Sequence, residues 1–321
     1  MSYPILRTQQ RNIKNSALNW NGLRLPLGLF PFIITDVVSS WKAFKNWTLE
    51  SLTERFGSQR ITCMYSSNKQ SASFLQQVNR RKSMSFAEFL KHAYGKDEDD
   101  NMYYLRIDAA TKLFKEMSSD FFIPPLLPDY NPDASGIWIG QRPNLTPFHY
   151  DWWHSFLSQI SGRKKFVLIH PLESGFLQKN WKKEARYWLE SAPKIGEEKK
   201  LQSFHTCITG TLEPGEMLYI PPYWFHQIET IDYGTISMPV RFETNLDLHN
   251  EYFELNQDKS LRGLTNNPVE NEDKLVDALR SNRMHFIEKE EAFLRAFKNN
   301  RNQDIDIEKV REKLDSYFAK A

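Results

Sequence analysis

"NLTPFHYDWWHSFLSQISGRKKFVLIHP", residues 144–171, holds His149 and Asp151 two positions apart among aromatics, followed by two apolar runs joined through Gly162. "FLSQI" and "KKFVLIHP" are too short for helices and are rich in branched and aromatic side chains, so they read as strands. Similar pieces lie on either side: "GIWIG" at 136–140, "TCITGTL" at 206–212, "EMLYIP" at 216–221 and "GTISMPVRF" at 234–242. Short strands punctuated by Gly, Pro and polar residues, with no regular βα alternation, predict a mainly β chain folded as a double-stranded β-helix, or jelly roll. In the last of these strands Pro239 cannot donate to a central ladder, which predicts an edge or a bulge.

The flanks differ. "PFIITDVV" at 31–38 reads as a strand, and in "SSWKAFKNWTLESLTERFG" Ser40 is placed to cap a helix whose apolar side carries Trp41, Phe44, Trp47 and Leu52. Ser85 followed by Glu88 is a capping-box spacing for a helix closed by Gly95, and "MYYLRI" at 102–107 reads as a strand. These are N-terminal α/β elements. "KDEDDN" reads as a solvated loop, "IPPLLPDYNPD" as an extended surface passage, and "LQKNWKKEARYWLES" at 177–191 as a helical insertion. Beyond about residue 250 the pattern turns helical, with stripes at Leu275, Leu279, Phe286, Phe293 and Phe297, then Val310, Leu314 and Phe318. Two regions are therefore expected: 1–250, and a C-terminal helical appendix, 251–321, that packs on the first or on a second copy.

Forty-two Lys and Arg against forty Asp and Glu leave a net charge of +2, which excludes a strong overall field for nucleic acid. Two cysteines cannot make a disulfide framework. The longest apolar stretch is broken by Pro31 and Asp36, and the start lacks the apolar core of a signal peptide. No membrane association is expected, and a cytoplasmic, or in a eukaryote nuclear, location is.

On a strand, residues two apart share a face, so His149 and Asp151 offer an imidazole and a carboxylate side by side. His226, after "PPYWF", is a candidate for a third ligand. Two histidines and one carboxylate form the facial triad of non-haem Fe(II) oxygenases, although zinc tolerates the same donors. His154, three residues from Asp151, should face away and is given no metal role. Trp152, Trp153 and Trp224 suit a barrel wall or a cleft lining.

Together with "IWIG" and "LEPGEMLYIPPYWFHQIE", the opening stretch resembles the JmjC (cupin-like) Fe(II)/2-oxoglutarate-dependent oxygenases. Within them it is most similar to protein hydroxylases such as the asparaginyl hydroxylase acting on hypoxia-inducible factor. The resemblance covers roughly residues 136–243. It implies Fe(II), 2-oxoglutarate and O2, with iron on His149, Asp151 and His226. It also implies that Lys164 and Thr146 bind the distal carboxylate of 2-oxoglutarate, helped by Tyr103 or Tyr104, a choice left open. A buried dicarboxylate independently calls for a cation such as Lys164, while Lys165 should face away.

Ser155 and Arg241 stand where the asparaginyl hydroxylase differs, and Arg241 is read as a residue for a carboxylate of substrate or co-substrate. The implied reaction is hydroxylation of a protein or peptide side chain, with release of succinate and CO2. Alternatives are N-methyl-lysine demethylation, RNA-nucleoside hydroxylation, or a non-catalytic cupin-like binding protein. RNA gains a little from Lys182, Lys183, Lys199 and Lys200. In the resembled hydroxylase C-terminal helices pair two copies, which implies a homodimer here.

Overall fold

The computed structural model describes residues 5–14, 17–20, 23–26, 31–66, 80–95, 101–122, 131–132, 134–149, 151, 153–169, 207–221 and 224–242. The KDEDDN loop except Asn101, the proline-rich passage except Asn131 and Pro132, the insertion at 177–191, the C-terminal region and Trp152 all lie outside them.

From residue 136 the chain crosses repeatedly between two sheets. β9 (Gly136–Gly140), β11 (His154–Ser161), β14 (Met217–Ile220) and β16 (Thr235–Phe242) belong to a nine-stranded sheet. β10 (Asn144–His149), β12 (Lys164–Ile169), β13 (Ile208–Leu212) and β15 (Phe225–Thr230) form a four-stranded one. Apart from β12 and β13, successive strands alternate between sheets, which is the double-stranded β-helix. Its cause is visible in β11, whose first seven residues are all buried. One face packs on the small sheet, and the outer face is covered by the 3-10 turn at Val38–Ser40 and by α1 (Lys42–Asn46).

The N-terminal elements extend the large sheet at both ends. Its order is β1 (Leu6–Thr8), β5 (Phe32–Ile34), β14, β11, β16, β9, β8 (Met102–Asp108), β6 (Arg60–Ser66) and β7 (Arg81–Ser85). β2 (Ile13–Lys14), β3 (Ala17–Trp20) and β4 (Leu23–Pro26) make a separate small meander. α2 (Leu49–Phe56) packs on α3 (Phe86–Tyr94), and α3 in turn on β6 and β8; α4 (Lys112–Met117) follows β8. One continuous core joins these helices to the barrel through Trp41, Trp47, Leu52, Phe86, Phe89, Phe156 and Tyr219. Among the described residues no helix is long and apolar enough to cross a membrane.

Local signals hold where side chains close their own caps. Ser85 accepts from the Glu88 N–H at the start of α3, and Gly95 follows its end. Ser40 does not cap a helix: its hydroxyl donates to the Val37 carbonyl and closes the 3-10 turn. The helical stretch is instead broken at Trp47, and Thr48 caps α2 by accepting from the Ser51 N–H. A threonine hydroxyl that satisfies a first-turn N–H restarts the helix and lets both Trp41 and Trp47 face the core. Phe44 stays among the exposed apolar residues.

Pro239 also departs from expectation. It lies in an interior strand, opposite Leu157 of β11. The ladder from β16 to β9 stops at Ser237 opposite Trp138, two residues earlier, so the missing N–H interrupts no bond on that side.

Two turns fix the end of the barrel nearest Lys164. Gly162 and Gly234 adopt φ of 64° and 59°, the left-handed region that glycine enters without strain. Arg163 clasps Asp232 across them, with Nε to Oδ2 at 2.8 Å and Nη2 to Oδ1 at 3.1 Å. Gln159 donates to the carbonyls of Ser161 and Gly162 from beneath.

Candidate metal centre

His149 ends β10 and His226 lies in β15. Up to Thr146, opposite Ile228, the two strands pair in regular antiparallel register; then the register shifts, and His149 falls opposite His226. One extra residue on β10 makes a bulge there and re-aims the side chains beyond it. Pro147 sits in the shifted stretch, where a residue with no N–H is tolerated. The two imidazole rings come within 4.0 Å, centroid to centroid. Asp151, in the link from β10 to β11, completes a group whose ligand atoms all lie within 4.8 Å of one another.

His226 and Asp151 are each held by a partner of their own. His226 Nδ1 lies 2.8 Å from the Trp224 carbonyl, which accepts only if that nitrogen carries the proton; Nε2 is then the free lone pair. Burial pulls His226 below its ordinary value against the pull of Asp151, so the ring is neutral, as a metal ligand must be. For Asp151, burial alone would raise the carboxyl; Arg241 first, then His149 and His226, outweigh it and hold the group well below the usual carboxylate range. Arg241 donates from Nε to Oδ2 at 3.0 Å, and its Nη2 ion-pairs with the same oxygen at 2.8 Å. Its Nη1 donates to the Ala134 carbonyl. The carboxylate that Arg241 meets in the folded chain is thus Asp151.

The group opens into a cavity of about 430 Å³ between the sheets. Thr146, Lys164, Tyr104 and Arg241 line it; Tyr103 does not. Tyr103 stacks on His92 at 4.3 Å and belongs to the core beneath α3. Neighbouring residues of one strand face opposite ways, so β8 can present only one of its two tyrosines. A Cβ at Gly140, opposite Tyr104 on β9, would overlap the Tyr104 ring, so the absence of a side chain there seats that ring.

Lys164 is buried, and Nζ donates to the Ser237 hydroxyl at 2.6 Å. Burial lowers its pKa to about 7, and no described carboxylate offsets it. Lys165 is exposed. His154 turns from the cavity, with Nδ1 2.6 Å from the Tyr219 hydroxyl and its ring stacked on Phe242. Trp153 lines the cavity, whereas Trp224 is in the core. Sequence reasoning missed Arg106, Trp138 and Ser237, all cavity-lining. Arg106 and Ser237 were within reach of the two-residue period, one from Tyr104 and the other from Arg241 by way of Pro239.

A divalent ion fits this donor set: two imidazoles, one neutral by burial, and an ionised carboxylate from one small volume, a set that matches Fe(II) and that zinc also tolerates. A small dicarboxylate fits the adjoining space, where the buried Lys164 amine has the Ser237 hydroxyl and the Tyr104 ring, 6.0 Å from Nζ, among its described neighbours.

A cupin-like domain family matches residues 28–247. JmjC domain-containing protein D of Dictyostelium discoideum is 27% identical over 224 residues, 63% of this chain and 49% of its own length. Human bifunctional peptidase and (3S)-lysyl hydroxylase JMJD7 is 24% identical over 265 residues, 70% and 81%. Jumonji C domain-containing protein 5 of Drosophila melanogaster is 25% identical over 218 residues, 62% and 51%. The chain therefore spans about half the length of the Dictyostelium and Drosophila relatives. With strands that alternate between two sheets, a His-Asp-His triad at the mouth between them and a family match over most of its length, this chain belongs to the cupin-like domain family, within the JmjC/cupin-like oxygenases.

Proposed function

We propose that the chain is an Fe(II)- and 2-oxoglutarate-dependent dioxygenase that hydroxylates a side chain of a protein or peptide, with release of succinate and CO2. The observation that carries this reading is the sharing of one cavity by the triad and by a buried lysine with no described counter-ion. When bound, iron would activate O2, and 2-oxoglutarate, oxidised to succinate and CO2, would supply two of the four electrons that O2 takes up, the C–H bond of the substrate supplying the other two.

The chain's own residues do the rest. His149, Asp151 and His226 would hold the ion. Lys164 takes the distal carboxylate of 2-oxoglutarate, with Thr146 and the Tyr104 hydroxyl as hydrogen-bonding neighbours. A carboxylate arriving beside Lys164 favours the charged amine, so binding draws a proton onto Nζ above pH 7. Arg241 fixes the rotation of Asp151. Leu157, Ile220, Ile228 and Pro239 make an apolar wall that excludes water from the reacting centre.

Hydroxylation is the chemistry in the name of the human relative. The residue on which that relative acts is not carried over, and neither is asparagine: Ser155 stands in the cavity where the resembled asparaginyl hydroxylase has an asparagine. The test is succinate formation from 2-oxoglutarate by anaerobically iron-loaded protein after O2 is admitted. Turnover that disappears in His149→Ala is the expected result. A protein that binds neither iron nor 2-oxoglutarate would be a cupin-like binding module instead.

A further inference from the structure

Two guanidinium groups are among the described residues that line the cavity, those of Arg106 and Arg241. Arg106 of β8 and Trp138 of β9 are cross-strand partners, and the guanidinium carbon lies 5.6 Å from the Trp138 ring centre. Arg106 ion-pairs with Asp108 at 2.6 Å, but Asp108 is the more exposed of the two, 50% against 32%, and does not line the cavity. Arg106 thus lines the cavity, whereas Asp108 does not. Arg241 lines the same cavity, and burial and this nearby cation both act against the charge of Arg106. Among the described lining residues Asp151 is the sole carboxylate, and Arg241 and the two histidines already claim it.

We propose, resting on the oxygenase reading above, that this cavity selects substrate by charge. The cavity accepts a polypeptide segment bearing an acidic or neutral acceptor side chain, rejects lysine, methyl-lysine and arginine, and uses Arg106 as the specificity-determining residue. Like charges meeting in a half-buried site repel more strongly than in water, while a carboxylate or amide oxygen gains a forked donor. A polypeptide is favoured over RNA because the Trp138 ring is already engaged by Arg106 and by Tyr104, at 5.0 Å between centroids, and so is not an open stacking platform. The near balance of 42 basic against 40 acidic residues points the same way.

An affinity selection tests this. The full chain, immobilised and loaded with manganese and 2-oxoglutarate under nitrogen, is offered a degenerate decapeptide pool, and bound peptides are sequenced by mass spectrometry. The wild type should enrich Asp and Glu over Lys and Arg by about fivefold, R106Q should abolish the preference, and R106E should invert it. Enrichment of Lys or Arg by the wild type, no charge preference, or an unchanged acidic preference in both variants overturns the inference. So does an oligoribonucleotide that displaces the selected peptides better than oligoglutamate of equal charge. Calorimetric titration of the wild type with manganese and then 2-oxoglutarate tests the underlying reading separately. No binding there removes the oxygenase centre itself, whereas binding there with a failed selection removes only the charge preference.

Discussion

The two sheets that enclose the cavity contribute unlike things to it. The four-stranded sheet supplies His149, Thr146, Lys164 and His226, the groups suited to an ion and a small dicarboxylate. The nine-stranded sheet supplies Tyr104, Arg106, Trp138, Ser155, Ser237, Pro239 and Arg241, which seat, screen or select. Asp151 stands in the link that crosses from one to the other. Binding chemistry is thus gathered on a short, locally connected surface, and its tuning is spread over a long one.

The division makes graded predictions. The largest effect belongs to the triad: His149→Ala or His226→Ala should weaken metal binding by more than about 100-fold, beyond the usual cost of losing a supporting group. Turnover should vanish, and circular dichroism should show an unchanged fold. Next, Lys164→Ala should weaken 2-oxoglutarate by about two to three orders of magnitude, the scale for a buried charge left without its partner. Metal affinity, titrated with manganese alone, should hold. Comparable damage to both ligands from one Lys164 variant would break the separation of roles within the small sheet.

The third prediction concerns pH. The Lys164 pKa in the unliganded chain is about 7, below the ordinary lysine value, and a dicarboxylate prefers the charged form. Affinity for 2-oxoglutarate is therefore full below pH 7 and falls as pH rises through it, by up to about tenfold per unit. Calorimetry in buffers of different ionisation enthalpy should detect the accompanying proton uptake. For stability the sign runs the other way: the unfolded chain keeps its lysine proton to a higher pH, so this residue disfavours folding below its folded pKa, and the penalty fades as pH rises toward the ordinary value.

From the large sheet smaller effects are expected. Gly140→Ala should push the Tyr104 ring toward the cavity and cost 2-oxoglutarate about tenfold in affinity, within the range for an overpacked site. Ser237→Ala removes one hydrogen bond from Lys164 and should cost about fivefold. Equal losses on the two sheets would show that the division is one of geometry without energetic meaning.

The same contrast explains what could be read in the sequence. His149 and Asp151 came forward by their two-residue spacing within one run of residues, whereas Lys164 in the same run, and His226 after a Pro-Gly turn and a single strand, were fixed by the resemblance of the whole stretch to a known family. The bulge at Pro147 was not legible as such, although it puts His149 opposite His226. Arg106, Trp138 and Ser237 meet only because β8, β9 and β16 are neighbours in a sheet whose order differs from chain order. No local pattern encodes that adjacency. Choosing Tyr104 over Tyr103 likewise required knowing which face α3 covers. Ser40 misled because a hydroxyl near a helix start serves a 3-10 turn as readily as a cap.

The Arg241–Asp151 pair bears on the order of assembly. In zinc fingers and similar small domains the bare ligands repel or strand one another, and folding waits for the ion. Here the acidic ligand already has a resident cation from β16, so the interior tolerates it bare. Such a chain is expected to fold without an ion, and a chelator should then strip any bound metal from the centre while leaving a folded protein ready to be refilled.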